Sequence, residues 1–483
     1  MKLTPKMHLE AGIRLIRQGD LDSAIMAFCT AIKLNPTYSP AYNNLGLALR
    51  NTNHFQEAEV CFCRAIELNS RDSSAYNNLG LVLMDLGKME RAKECFQQAI
   101  ELHSSYPPIY NNLGIVLEEM HRFIEAEQAY GYALKLNPHY PEAHYNLGTL
   151  LRVMKHFQEA KEHLCLAVEL RSNYSEAECS LANFNLLCGD FENGWGMYEN
   201  SRPKTEYELL KMPKWHGEDL TGCSILLYWE YGFGDTIQFV RYAQLVEKLA
   251  AKTTLWVQKS LERLIKAAYP HLKVSAEECP PEGKYDYVCS LMSLPVLFNT
   301  CNETIPQPVP YLPASRTASV VWHEALEKID HGKRYRVGVV WAGHPKHLNN
   351  KKRSILFDIF RNLLNISQVS WVNLQVGLRA KDLAATSCDV IDFSKDLVDF
   401  METAGLVETL DLVITVDSAM AHLAGTMGKK TWILVPSDPD WRWQLDREDS
   451  PWYPTARIFR QRKLGDWQEV VERVKKALQD ELM

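Results

Sequence analysis

Asn77-Asn78-Leu79-Gly80 decides the reading of the first two hundred residues, because the phrase returns at a fixed interval. It stands 34 residues earlier as Asn43-Asn44-Leu45-Gly46 and 34 later as Asn111-Asn112-Leu113-Gly114, and Asn146-Leu147-Gly148 continues the series. With Pro5, Ser39, Ser73, Pro107 and Pro141 as first positions, alanine fills the twentieth (Ala24, Ala58, Ala92, Ala126, Ala160) and the twenty-seventh (Ala31, Ala65, Ala99, Ala133, Ala167). The twenty-fourth holds Phe28, Phe62, Phe96, Tyr130 and Leu164. Self-similarity at such a period marks small supersecondary units that bury a core only by stacking. Each unit should be two antiparallel helices, with Gly46, Gly80, Gly114 and Gly148 admitting a close neighbour. Asn35-Pro36 and Asn137-Pro138 end second helices, since the residue before proline avoids the helical region.

This period and signature are those of tetratricopeptide repeats. A sixth, irregular unit runs through Leu181, Ala182 and Tyr198 with Gly189, Gly194 and Gly196, so the array is placed at 5–205. Asn44, Asn78, Asn112 and Asn146 share the sixth position of successive first helices, beside Asn43, Asn77 and Asn111. An amide both donates and accepts, so such a ladder can hold the backbone of an extended peptide. Alternatively the amides bond to neighbouring helices and stiffen the superhelix. These repeats resemble those of the protein O-linked N-acetylglucosamine transferases, which implies a protein or peptide partner on the concave face.

The whole chain bounds the rest. Its 483 residues exceed one core and imply two or three domains. A hydrophobic share of 46% with 23% charged residues is that of a globular protein, and a net charge of −7 argues against general nucleic-acid binding. Met1–Lys6 lacks the apolar run of a signal peptide, and nothing approaches the ~18 apolar residues of a membrane span. Cys29, Cys63 and Cys165 share the twenty-fifth repeat position, and Cys61 and Cys95 the twenty-third, which suits packing niches. With no Cys-x-x-Cys pair, no metal is expected, and reduced cysteines in a cytoplasmic protein are.

After Trp215-His216-Gly217-Glu218 the texture changes to short apolar runs alternating with amphipathic segments. Strands are expected at Ser224–Trp229, Thr253–Val257 and Tyr287–Ser290, with helices near 235–250 and 259–268. The proline-rich stretch Ile305–Pro313 reads as a linker. A second series has strands at Val337–Trp341, Trp371–Gln375, Leu412–Val416 and Thr431–Val435, with helices near 354–364, 396–409 and 418–427. Two such series imply two doubly wound domains, at 215–304 and 317–483, with sites at the carboxyl ends of strands.

Three of the segments that follow strands carry chemistry. In Glu230-Tyr231-Gly232-Phe233-Gly234-Asp235-Thr236, Gly232 and Gly234 permit close approach of a ligand, while Asp235 either acts on it or caps the helix. In Val416-Asp417-Ser418-Ala419-Met420-Ala421-His422, Ser418 and His422 share a face beside a helix N-terminus, an arrangement suited to a diphosphate. The other reading makes Asp417 an N-cap and His422 a satisfied core histidine. The basic stretch Gly343–Ser354, with Lys346, Lys351 and Arg353, either neutralises phosphates or is a solvated loop. A last cluster, Asp440-Trp441-Arg442-Trp443, could stack on a base or pack a domain edge.

Gly232–Phe239, Asp417–Leu423 and Asp440–Trp443 together resemble bacterial tetratricopeptide proteins with a glycosyltransferase-like C-terminal region, similar to the heptosyltransferases of glycosyltransferase family 9. The resemblance runs over roughly residues 215–480. It implies a GT-B fold, a nucleotide-sugar donor on the last domain, and inversion at the anomeric carbon without metal or other cofactor. By position, Asp235 corresponds to the proposed general base. Asp417, Ser418 and His422 correspond to the donor-binding turn, and Gly232 and Gly234 are taken as donor-binding with them. Arg353, or else Lys351 or Lys346, would stabilise the departing diphosphate. The first turn lacks the proline that often follows in heptosyltransferases, so heptose is not implied, and the repeats point to a protein or peptide acceptor. The expected fold is thus an α-solenoid followed by a GT-B pair of Rossmann-like domains, and the expected activity is glycosyl transfer. A non-catalytic adaptor carrying a degenerate transferase domain is the alternative.

Overall fold

The structure, a computed structural model, describes residues 4–203, 212–306, 309–330, 335–347, 349–385 and 388–483. Two compact units divide the chain, Met1–Ser180 and Leu181–Met483.

The first unit holds five helix pairs: α1 (Pro5–Arg17) with α2 (Leu21–Leu34), α3 (Ser39–Asn51) with α4 (Phe55–Leu68), α5 (Ser73–Asp85) with α6 (Met89–Leu102), α7 (Pro107–Glu119) with α8 (Phe123–Leu136), and α9 (Pro141–Val153) with α10 (Phe157–Leu170). Local signals set their ends. The Thr4 hydroxyl accepts from the Met7 N–H at 3.3 Å and Pro5 opens α1; Asp20 and Asp72 cap α2 and α5. The turn inside each pair needs one left-handed residue, supplied in order by Gly19, Asn53, Gly87, His121 and Lys155. The glycine of the repeat phrase is required by packing: a Cβ on Gly80 would stand 2.6 Å from Phe96 Cε1. Ala24, Ala58 and Ala92 with Phe28, Phe62 and Phe96 are fully buried, as their periodicity predicts.

A sixth pair, α11 (Ser175–Leu187) and α12 (Phe191–Ser201), crosses the division between the units. The end of the expected array at 205 lies outside the described residues. Beyond it the second unit contains two all-parallel sheets. The first comprises β1 (Ser224–Tyr228), β2 (Lys252–Trp256), β3 (Lys273–Ser275) and β4 (Tyr287–Ser290), ordered β3-β2-β1-β4. The second comprises β5 (Tyr335–Val340), β6 (Val369–Asn373), β7 (Val390–Asp392), β8 (Leu412–Val416), β9 (Thr431–Val435) and β10 (Ala456–Arg460), ordered β10-β9-β8-β5-β6-β7. Central strands such as β8 and β9 are buried along their whole length, as covering helices on both faces demand.

The proline-rich stretch is more than a tether, although Gln307 and Pro308 lie outside the described residues. Leu312 is fully buried, the Tyr311 N–H bonds to the Thr426 carbonyl at 3.0 Å, and the Tyr311 hydroxyl bonds to the Ile237 carbonyl at 3.0 Å. Beside it Arg241, buried, donates to Tyr311 Oη at 2.8 Å and to the Trp452 carbonyl at 3.1 Å, with its guanidinium 4.5 Å from the Tyr311 ring centre. The helix expected near 354–364 is reduced to the single turn Phe357–Phe360 and a 3-10 turn, Leu363–Asn365, while a separate turn, Asn350–Arg353, precedes it.

Candidate functional site

In the second unit, the turns after β1 and β8 meet. The first leads through Gly232 into the helix Phe233–Phe239, and the second through Ser418 into Ala419–Thr426. Contact is so close that a Cβ on Gly234 would lie 2.8 Å from His422 Cδ2, so the glycine is dictated by the histidine of the other turn. Asp235 reaches back to accept the Gly232 N–H at 2.9 Å on Oδ2. Its Oδ1 accepts from Arg442 at 2.5 Å, and the side chain keeps 22% of its surface exposed.

Arg442 is the hub. It donates to Asp235, to Asp440 Oδ1 at 2.9 Å and to Gln238 Oε1 at 2.6 Å, and its guanidinium lies 4.3 Å from the Trp441 ring centre. Burial opposes its charge, but the carboxylates of Asp440 and Asp235 outweigh burial and hold it above its ordinary value. Asp440 shows the reciprocal balance: burial raises it, and Arg442's charge and hydrogen bonds bring it below the usual carboxylate range.

Asp417 is buried, and burial together with the charge of Asp440 pushes its carboxyl up to about 6, against the attraction of Arg353. Arg353 Nη1 stands 3.9 Å from Asp417 Oδ2, while Lys346 and Lys351 are exposed. Of the three cations the sequence offered, Arg353 is the one brought to Asp417; Leu348, in the same basic stretch, lies outside the described residues. Ser418, rather than Asp417, is the N-cap of its helix, with Oγ accepting the Met420 N–H at 3.3 Å. His422 is 5% exposed, its Nδ1 lies 2.8 Å from Tyr453 Oη, and its ring stacks on Trp443 at 5.4 Å. Burial, then the charge of Arg442, lowers it to about 3, so the imidazole is neutral at pH 7. Those contacts engage Nδ1 and one ring face, and the Cδ2–Nε2 edge faces Gly234, so the ring is packed as a satisfied core histidine at the meeting of the two turns.

The sequence offered Asp440-Trp441-Arg442-Trp443 as an aromatic platform or a packed domain edge and as part of a family resemblance, without marking Arg442 or Gln238 as site residues. Gln238 was detectable, being three residues after Asp235 and so on the same helix face. Arg442 had no comparable signal, because its partner lies 207 positions away.

In the first unit, the asparagines join successive repeats. Asn78 Nδ2 donates to Asn43 Oδ1 at 3.1 Å, Asn112 to Asn77 at 2.9 Å and Asn146 to Asn111 at 2.9 Å, whereas Asn44 bonds within its own helix to the Pro40 carbonyl at 2.8 Å. Each inter-repeat bond uses one of two amide hydrogens. The half-buried side chains of Asn78, Asn112 and Asn146 therefore retain an N–H and an Oδ1 with which to meet a ligand. Cys61 and Cys95 are pushed up to about 11 by burial, which suits packing rather than reactivity. Among the described residues no helix is long and apolar enough to cross a membrane.

Family models of the tetratricopeptide repeat match residues 9–38, 30–60, 73–106, 95–128 and 141–174. Protein FlbA of Caulobacter vibrioides is 27% identical over 330 residues, covering 62% of this chain and 54% of that protein. The chain thus spans about half the length of that relative. Among solved structures, PilF of Pseudomonas aeruginosa is 18% identical, covering 40% of this chain and 88% of its own at a TM-score of 0.37. YrrB, described as a TPR protein with an unusual peptide-binding site, is 21% identical, covering 36% and 90% at 0.31. The repeat matches and the helix pairs make the N-terminal unit a tetratricopeptide solenoid, an architecture capable of binding proteins or peptides.

Proposed function

We propose that this chain is an inverting, metal-independent glycosyltransferase of the GT-B type, moving a sugar from a nucleotide donor to a protein or peptide held by the repeats. The observation that carries the reading is the meeting of two strand-end turns from different parallel sheets, with Asp235 of one tied to Arg442 beside the other. Donor-site chemistry falls to the β8 turn. The positive end of the helix Ala419–Thr426 and the Arg353 guanidinium suit a diphosphate. Asp235 takes the proton from an acceptor hydroxyl as its oxygen attacks the anomeric carbon. The bond from that carbon to the diphosphate oxygen breaks, and the electron pair leaves with the diphosphate, whose charge Arg353 offsets.

A thermal-shift panel of UDP, GDP, ADP, CMP and dTDP sugars tests this. A stabilising sugar nucleotide whose effect Arg353→Gln abolishes supports the donor site, and Asp235→Asn should then keep binding while losing transfer. No shift at millimolar concentration overturns the reading. The adaptor alternative draws on a specific feature, since both oxygens of Asp235 are already engaged. It predicts partner binding through the repeats with no response to any nucleotide.

A further inference from the structure

Tyr231, between Glu230 and Gly232, has φ of 57°, a left-handed conformation. For a residue with a Cβ this costs on the order of 1 kcal/mol and persists only where the surroundings impose it. Here they are the segment following α12. Arg202, 2% exposed, donates to Glu230 Oε2 at 2.6 Å, and Glu230, 1% exposed, also accepts from the Ser290 hydroxyl. Arg202 is itself aimed by Glu199 at 3.1 Å and by Ser293 at 3.3 Å. The next residue completes the grip, for the Tyr231 hydroxyl donates to the Pro203 carbonyl. Two adjacent residues of the turn are therefore held by two adjacent residues of the α12 tail. Earlier on α12, Trp195 and Tyr198 pack edge-on against Trp441 at 5.1 and 6.2 Å, next to the arginine that holds Asp235.

We infer that Arg202 is a positioning residue for Asp235: through Glu230 and Tyr231 it holds the turn that presents the carboxylate, and α12 serves the site rather than the repeat array. This rests on the reading of Asp235 as the proton acceptor.

Hydrogen–deuterium exchange on the full-length protein tests it without any substrate. In Arg202→Met, amides of Phe233–Phe239 should exchange about tenfold faster while those of Ala419–Thr426 change less than about twofold, and Arg202→Lys should recover part of the protection. If a sugar nucleotide is turned over, Arg202→Met should lower kcat and leave KM unchanged. Unchanged exchange at Phe233–Phe239, or equal acceleration in both helices, overturns the inference. Selective acceleration in a protein that turns over no sugar nucleotide supports the clamp and counts against the transferase reading alone. Should Arg202→Met fail to fold, Tyr231→Phe removes only the hydroxyl. It should accelerate the same helix by a smaller factor, and no acceleration there would equally refute the clamp.

Discussion

Replacing Asp417 with asparagine should make the protein more stable at pH 7.5 and leave it unchanged at acid pH. Burial and the neighbouring Asp440 raise the Asp417 carboxyl from 3.8 to about 6, with the attraction of Arg353 already included. A carboxylate raised in the folded state contributes stability that is complete below 3.8 and is lost as pH climbs through about 6. At 1.36 kcal/mol per unit the ionised side chain costs roughly 3 kcal/mol at pH 7.5. For a unit of about 300 residues that corresponds to a Tm difference of about 5 °C. The assay is urea or thermal unfolding of wild type and Asp417→Asn from pH 4 to 8, with the two curves subtracted. The subtraction is needed because His422 drives the wild-type profile in the opposite sense. The difference should be small at pH 4, grow between about pH 4 and 6 and level off above that in favour of the variant. A variant less stable than wild type at pH 7.5 would refute the reasoning, since the ionised carboxylate would then be net favourable there. A carboxylate kept ionised at such a cost suits a group retained for a ligand, and the variant should accordingly bind a sugar nucleotide less well.

Four further outcomes are expected. His422, lowered to about 3, contributes stability that is complete above pH 6.5 and lost as pH falls toward 3, so His422→Gln should flatten the unfolding midpoint over that window. Gly234→Ala puts a methyl 2.8 Å from the His422 ring and should destabilise the second unit by about 1–3 kcal/mol in denaturant unfolding. Asn112→Ala removes a 2.9 Å bond between repeats and should lower the stability of the solenoid by about 1 kcal/mol, measured as a shift in its urea midpoint. Asn53→Gly relieves a left-handed backbone at φ of 61° and should raise that midpoint by about 0.5 kcal/mol equivalent.

What could be read without the structure follows the range of the interactions. The repeats were legible because each position recurs in a fixed environment: the same alanine, the same aromatic and the same helix-facing glycine. Leu412–Val416 and Thr431–Val435 were legible as continuous apolar runs, and the observed strands have the same bounds. Lys273–Ser275 and Val390–Asp392 are three residues long and carry no period. The amphipathic helix Trp467–Leu482 does carry one, burying Trp467, Val470, Val471, Val474 and Leu478. At the candidate site the motifs located Asp235 and the Asp417–His422 turn, since glycines and caps are local signals. Their environment was hidden, because burial of His422 against Trp443 and Gly234, and the grip of Arg442 on Asp235, join residues far apart in the chain.

Arg241 bears on how far the two sheets of the second unit can move apart. Its guanidinium is buried among Tyr311, Trp452 and Tyr453, on a segment continuous with the helix that carries Asp235. Swinging the two sheets apart there would strip a cation of its hydrogen bonds and aromatic faces together, an opening that costs several kcal/mol. That segment is in effect riveted. Any opening at the proposed site would then fall to the strand-end loops, with the two sheets held in place.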